Sequence, residues 1–280
     1  MNFGIHPQWG IFLTEARVGE WATFAVNQGF RALEIRIDFR MLESGLHQFF
    51  DPKVVSILQN ARLRGLEFHV GIEPFDSYLC SWRSRLRQDS LSRVRQILTF
   101  LETTLPPQFL FVYPGKSEGR RELGTEYLVE SLRELREAFP FMRIGVNLGA
   151  EGDCLKTPEE TQWMRSHLKS LDLVLDAGWA LAGGGEGNEK LKRLLQAAGD
   201  NLYSVHWRNL ASPASRLGLP LSRGRFLEAD YYSLLALIAG SRQVWHTLDY
   251  RDRTKKSYLA DKNLLEDLAG RARRRAANSH

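Results

Sequence analysis

The chain has 280 residues, 43% hydrophobic and 25% charged. This is the mix of a soluble globular protein and excludes a disordered chain, a fibrous repeat and a disulfide-built mini-protein. The formal net charge is +5, yet the last ten residues carry four arginines and no acid, so residues 1–270 net only +1. A body that close to neutrality does not present the basic face that wraps nucleic acid. No run of about 18 apolar residues is present to span a bilayer. The first residues lack the basic and long apolar regions of a secretory signal. Cys80 and Cys154 are too few for a disulfide framework or a zinc pattern. A cytoplasmic protein is the expectation, with residues 271–280 as a weakly packed basic C-terminal tail.

Short β-branched or aromatic runs alternate with amphipathic stretches along the chain. Residues 2–6 precede a helical 16–28, and ALEIRI (32–37) precedes a helix over 52–64 that opens with an Asp cap and Pro at its first position. LEFHVGI (66–72) precedes 84–104, and FLFVY (109–113) precedes 122–138. MRIGVN (142–147) precedes a helix announced by Thr157, Pro158 and Glu160, the spacing of a capping box. DLVLD (172–176) precedes 187–198, LYSVHW (202–207) precedes 230–239, and QVWHTLD (243–249) precedes a last helix near 258–272. Eight strand-then-helix units with no linker call for parallel strands and right-handed crossovers. Their number, in a chain of this length, favours one closed α/β barrel, a single (β/α)8 TIM barrel over residues 1–270. No GxGxxG or P-loop follows the first strand, which argues against an open doubly wound sheet.

In such a barrel the chemistry sits at the C-terminal ends of the strands. The runs end in His6, Arg36 with Asp38, Glu73, Tyr113, Asn147, Asp176, His206 and Asp249, a polar ring closing otherwise apolar strands. Asn147, Asp176, His206 and Asp249, from strands five to eight, are oxygen and nitrogen donors of the kind that hold Mn²⁺, Mg²⁺ or Zn²⁺. His246 falls on the opposite strand face from Asp249 and is expected to face the helices. Trp9, Trp179 and Trp207 lie near strand ends, where an indole can stack on a sugar face.

Several segments in order carry a family resemblance. GIEPF (71–75) resembles a His-Ala-Pro-Phe turn after strand three, VYPG (112–115) a His-Pro-Gly, and VLDAGWA (174–180) an Asp-x-x-His-Ala. VHWRN (205–209) resembles a His-x-x-Asp, and RLRQDSLSRVRQIL (85–98) and LPLSRGRF (219–226) resemble a characteristic helix and loop. Together they make the chain similar to the xylose-isomerase-like superfamily of TIM barrels, which includes sugar isomerases and epimerases, inosose dehydratases and endonuclease IV. The resemblance implies a single divalent metal held by Glu, Asp, His and Glu from strands five to eight. The matching positions here are Asn147, Asp176, His206 and Asp249, so two of the four ligand types differ. In the epimerases of the family the two Glu residues also pass a proton on and off the substrate carbon. An amide at Asn147 is no base near neutral pH, so one-base isomerisation or dehydration suits the chain better than two-base epimerisation. The additional zinc ligands of endonuclease IV match Glu73, Tyr113, Trp179, Arg216 and Gly218, almost none of them a ligand type, which argues against a repair nuclease.

These readings give an isomerase- or lyase-type enzyme acting on a small polyhydroxylated or phosphorylated substrate at the barrel mouth. Glu73 and Asp249 are the candidate proton-transfer groups. His6, Arg36, Tyr113, Trp179, Arg208 and Arg216 are candidate substrate contacts, and Asn147, Asp176, His206 and Asp249 are candidate metal ligands. Glu73 is alternatively a metal carboxylate in place of Asn147, or the partner of Arg36. The long seventh loop, with Arg208, Arg216, Arg223 and Arg225, suits an anionic substrate, and the glycine-rich 183–188 is a weaker anion signal. No nucleic-acid or membrane partner is implied, and self-association is left open. The competing reading is a metal-free barrel that binds a small molecule or a protein without turnover.

Overall fold

The computed structural model describes all residues except 8–12, 74–76, 149–153, 179–186, 212–217, 225, 239–243, 251–254 and 279–280. Eight parallel strands close in sequence order into one barrel. They are β1 (Asn2–His6), β2 (Ala32–Ile37), β3 (Glu67–Ile72), β4 (Phe109–Val112), β5 (Ile144–Leu148), β6 (Asp172–Asp176), β7 (Leu202–Trp207) and β8 (Trp245–Asp249). β8 closes on β1 with His6 opposite Asp249, and β7 lies on β6 with His206 opposite Asp176. The described helices are α1 (Glu15–Asn27), α2 (Phe39–Glu43), α3 (Pro52–Leu63), α4 (Ser84–Thr104), α5 (Arg121–Ala138), α6 (Pro158–His167), α7 (Gly187–Ala198), α8 (Glu228–Ile238) and α9 (Lys256–Ala277). None is long and apolar enough to cross a membrane. Both cysteines are free and buried.

Local sequence explains where the helices begin. The Asp51 carboxylate accepts hydrogen bonds from Lys53 N at 2.8 Å and Val54 N at 2.9 Å ahead of Pro52, so α3 starts with two of its otherwise unpaired amides satisfied. Thr157 and Glu160 cap each other reciprocally at α6. Asp38, at the end of β2, caps α2 through Met41 N at 2.9 Å and pairs with Arg40. It is thus a helix cap as well as a member of the strand-end ring. At the other terminus α9 runs on to Ala277, with Ala272 buried and Arg271 paired to Glu228, so the helix reaches well into the basic stretch expected to fray.

The strands alternate between two apolar populations. Outward side chains such as Leu33, Ile35, Val70, Leu110, Val146, Leu175, Val205 and Leu248 pack with the helices in the main core. Inward side chains form a separate cluster of Ala32, Phe109, Phe111, Tyr113, Val174, Tyr203 and Trp245. The lower part of the barrel is thus an aromatic plug: Phe109 and Tyr203 rings lie 3.8 Å apart and His69 lies 4.7 Å from Trp245. Glycines make room for it. A Cβ on Gly145 would come 2.8 Å from the Phe109 ring. His69, below Glu73 on the same face, therefore belongs to the plug and not to the mouth. His246 faces outward, accepting a hydrogen bond from Trp207 Nε1 at 3.0 Å, and burial pushes its pKa down to about 3. Trp207 also packs against Tyr231 of α8, so it serves the helix layer and not ligand stacking.

Candidate active site

Above the plug the inward positions turn polar. Position 34 of β2 is a buried glutamate and position 36 an arginine, two residues apart and hence on one strand face. Arg36 Nε donates to Glu34 Oε1 at 2.6 Å, Nη1 to the Tyr113 hydroxyl, and Nη2 to Asp249 Oδ2 at 3.2 Å. Nη2 also lies 3.3 Å from His206 Nδ1. A guanidinium can only donate, so Nδ1 accepts and the His206 proton sits on Nε2. That atom lies 2.9 Å from Glu34 Oε2, a short contact although not aligned as a hydrogen bond. Asp249 Oδ1 meets His6 Nδ1 at 2.8 Å. On the neighbouring strands Arg208 grips Asp176 with both arms, Nε to Oδ1 at 3.1 Å and Nη2 to Oδ2 at 2.8 Å.

Burial makes these pairs matter. Side-chain exposure is 8% for Arg36 and 7% for Arg208, and 1–3% for Glu34, Asp176 and Asp249. An isolated carboxylate there would take up a proton. Burial does push the Glu34 carboxyl upward, but Arg36 and His206 outweigh it, and the group is held well below the usual carboxylate range. Asp249 behaves alike: Arg36 and His6 overcome burial and keep it an anion. Tyr113 is pushed upward, chiefly by burial, and so stays protonated. Glu73 differs from all of these. Its carboxyl is partly exposed and has no hydrogen bond or ion pair among the described residues, and burial raises its pKa despite the attraction of Arg36 and His6.

The sequence-derived site therefore assembles in large part at one mouth. His6, Arg36, Tyr113, His206 and Asp249 form one network and Asp176 and Arg208 an adjoining pair. Donor atoms of Asp176, His206 and Asp249 all lie within 4.8 Å of one another, close enough for one cation. Asn147, on the adjoining strand β5, is fully buried, and neither its amide nitrogen nor its oxygen has a hydrogen-bond partner among the described residues. Arg208 is folded back on Asp176 instead of extending from the loop, and Arg223 is exposed. Trp9, Trp179, Arg216 and Arg225 lie outside the described residues, as does most of 183–188. Asn209, next to Arg208, anchors the start of the seventh loop through its amide, which donates to Leu221 O at 2.8 Å and Phe226 O at 3.1 Å.

Glu34 is the site residue that the strand-end inventory passes over. Its signal was an acid in mid-strand, on the inward face of ALEIRI, where a buried charge demands a partner. A second opening, a cavity of about 960 Å³, lies at the opposite end of the barrel and includes Asn2, Glu67, Arg143, Asp172, Tyr203 and Trp245 in its wall. Its charged strand residues are paired with one another or with His69. The strand-end carboxylates and the raised Glu73 are at the other mouth.

Whether a divalent metal fits can be judged from the donor atoms. Both oxygens of Asp176 accept from Arg208, both oxygens of Asp249 face His6 and Arg36, and both ring nitrogens of His206 face Arg36 and Glu34. The spacing suits a cation, but as arranged the four carboxylate oxygens and His206 Nδ1 already have donor partners, and His206 Nε2 carries the ring proton beside Glu34.

No family model matches the sequence, and no curated protein matches it. Solved structures do. A D-tagatose 3-epimerase-like protein is 19% identical with a TM-score of 0.72, over 99% of this chain and 100% of that one. L-ribulose 3-epimerase is 14% identical with a TM-score of 0.72, over 100% and 98%. Endonuclease IV from Thermus thermophilus is 17% identical with a TM-score of 0.65, over 95% and 100%. At these identities the likeness is one of fold, the closed (β/α)8 barrel that the alternation of strands and helices in the sequence predicts.

Proposed function

We propose that the chain is an isomerase- or lyase-type enzyme that moves a proton on a small polyhydroxylated substrate at the C-terminal mouth, with Glu73 as the proton-transfer group. The observation that carries this reading is the contrast among the mouth carboxyls. Glu34, Asp176 and Asp249 are engaged by arginine or histidine, whereas Glu73 is partly exposed, without an ion-pair partner among the described residues, and shifted upward by burial. A carboxyl whose pKa is raised toward the working pH is the better general acid and base. Asp249, anchored on both oxygens, holds His6 and Arg36 in place and is not the base. Tyr113 keeps its proton, accepts from Arg36 and is able to donate to a substrate oxygen. The Asn147 amide, buried without hydrogen-bond partners among the described residues, is suited to a substrate hydroxyl, since leaving such a group unpaired costs about 1–3 kcal/mol.

The barrel is shared with a D-tagatose 3-epimerase-like protein and with L-ribulose 3-epimerase, which supports a sugar-like substrate, and the presence of one mouth carboxyl without an ion-pair partner among the described residues favours isomerisation or dehydration over two-base epimerisation. The test is proton exchange in D₂O with a panel of ketoses, aldoses and polyhydroxylated ketones, followed by NMR. The expected result is deuterium at a carbon next to the carbonyl with wild-type protein, and a loss of at least about 100-fold in Glu73→Gln. Unchanged exchange in that variant would overturn the assignment. A second reading, a binding barrel without turnover, is favoured by the anchoring of Asp249. It predicts a ligand-induced rise in melting temperature with no deuterium uptake.

A further inference from the structure

We infer that Arg36 and Arg208 take the place of a divalent metal at this mouth, so that the site works as a metal-free, guanidinium-neutralised cluster. Three observations meet in this. The first is charge. Glu34, Asp176 and Asp249 bring three negative charges, and the two guanidinium groups bring two positive ones, the charge of one divalent ion. The three carboxylates and two guanidinium groups sum to −1 and a divalent ion would turn this to +1, so the arginines already supply the positive charge that an ion would bring to the buried carboxylates.

The second is occupancy of the donor atoms. The three residues whose spacing suits a cation are Asp176, His206 and Asp249; five of their six oxygen or nitrogen atoms already face Arg208, Arg36 or His6, and the sixth, His206 Nε2, carries the ring proton 2.9 Å from Glu34 Oε2. A metal would have to displace the two-armed Arg208 contact and the Arg36 contact together. His206 would also have to turn a ring nitrogen away from its present neighbour.

The third is backbone. The arginine stems lie in lanes that only glycine leaves open. A Cβ on Gly71 would come 2.6 Å from Arg36 Cδ, and one on Gly178 would come 2.5 Å from Arg208 Cγ. A Cβ on Gly218 would come 3.0 Å from Arg208 Cδ. Residues on three separate segments thus accommodate these two side chains, which marks them as built into the mouth. Arg36 lies further over the Phe111 and Tyr113 rings, 5.1 and 5.6 Å from their centroids, a cation–π arrangement that favours a guanidinium over a hydrated ion.

The inference concerns the same mouth as the proposed reaction but does not rest on it, and it is read on protein without substrate. Full-length protein is expressed in medium with Mn²⁺ and Zn²⁺, purified without chelator and analysed for bound metal. The expected content is below about 0.1 equivalents per chain, and neither Mn²⁺ nor EDTA shifts the melting temperature by more than about 1 °C. About one equivalent of metal, or a clear drop with EDTA, would overturn the inference. Arg208→Met supplies the converse. With the two-armed Arg208 contact removed from the Asp176 oxygens, millimolar Mn²⁺ is expected to raise the melting temperature of this variant by about 5 °C. A folded Arg208→Met protein with no Mn²⁺ response would count against the substitution of arginine for metal. If this variant does not fold, the metal content of the wild type decides the matter alone.

Discussion

Strand β6 carries an aspartate at each end, and each is gripped by an arginine with two arms. At the N-terminal end Arg143 holds Asp172 at 2.6 and 2.7 Å, with the arginine 55% exposed. At the C-terminal end Arg208 holds Asp176 at 2.8 and 3.1 Å, with both partners almost wholly buried. The geometries are nearly alike and the surroundings are not. Arg143 lies beside Tyr203 and a solvent-facing opening, whereas Arg208 is enclosed by glycine backbone, Asp249 and the neighbouring arginine network. Bond lengths alone would rank the outer pair as stronger. Burial reverses the ranking, because losing one partner of an exposed pair leaves a hydrated ion, while losing one partner of a buried pair leaves a charge with nowhere to go.

The widest gap is expected between the two arginine-to-alanine variants. Arg208→Ala should lower stability by about 3–5 kcal/mol, and Arg143→Ala by less than about 1 kcal/mol, measured by urea unfolding. Equal losses would erase the distinction between the two ends. Next in size is Gly178→Ala, whose new methyl meets the Arg208 stem; a cost of about 1–3 kcal/mol is expected for such overpacking. Gly65→Ala, a control, meets no neighbouring atom, and its penalty comes from a positive φ of 89° alone.

Smaller effects are expected from pH, and their signs differ between groups. Glu34 and Asp249 have lowered pKa values in the fold, so their contribution is present above the unfolded carboxylate range near pH 4 and is lost as pH falls below it. Glu73 is raised, so its contribution is complete below that range and is lost as pH rises through its folded pKa. Glu73→Gln is therefore expected to melt higher than wild type at pH 8 and alike at pH 4. A variant less stable at pH 8 would show that the Glu73 carboxylate has a stabilising partner. Last comes salt: 1 M NaCl should remove most of the small Arg143–Asp172 contribution and leave the Arg208–Asp176 pair nearly untouched.

The barrel itself was legible from residue order. The eight inward-outward runs, the Asp51 and Thr157 caps and the short connections are local signals, and the strands formed within a few residues of where these placed them. The ring of strand ends was legible too, because a parallel barrel sends those positions to one mouth. Pairing within the ring was not. Arg208 reads in sequence as a loop arginine able to reach an anionic substrate, yet it turns back to an aspartate 32 positions earlier. Arg36 reads as a substrate contact and instead joins strands β2, β4, β7 and β8. Such partners are chosen by barrel stagger and by the space above Gly71 and Gly178, and no spacing along the chain records either. Glu34 escaped for a related reason, since attention to strand ends passes over a charge buried in mid-strand. The basic C-terminal stretch read as a tail because of its composition, while Ala269 and Ala272 continue the buried face of α9.

The most direct measurement is a crystal structure of the protein grown with Mn²⁺, with anomalous data collected at the manganese edge. The account predicts Arg208 forked on Asp176, Arg36 between Glu34 and Asp249, and no anomalous peak among Asp176, His206 and Asp249. A peak there with oxygen and nitrogen ligands at about 2.0–2.4 Å, and Arg208 swung away from Asp176, would contradict it.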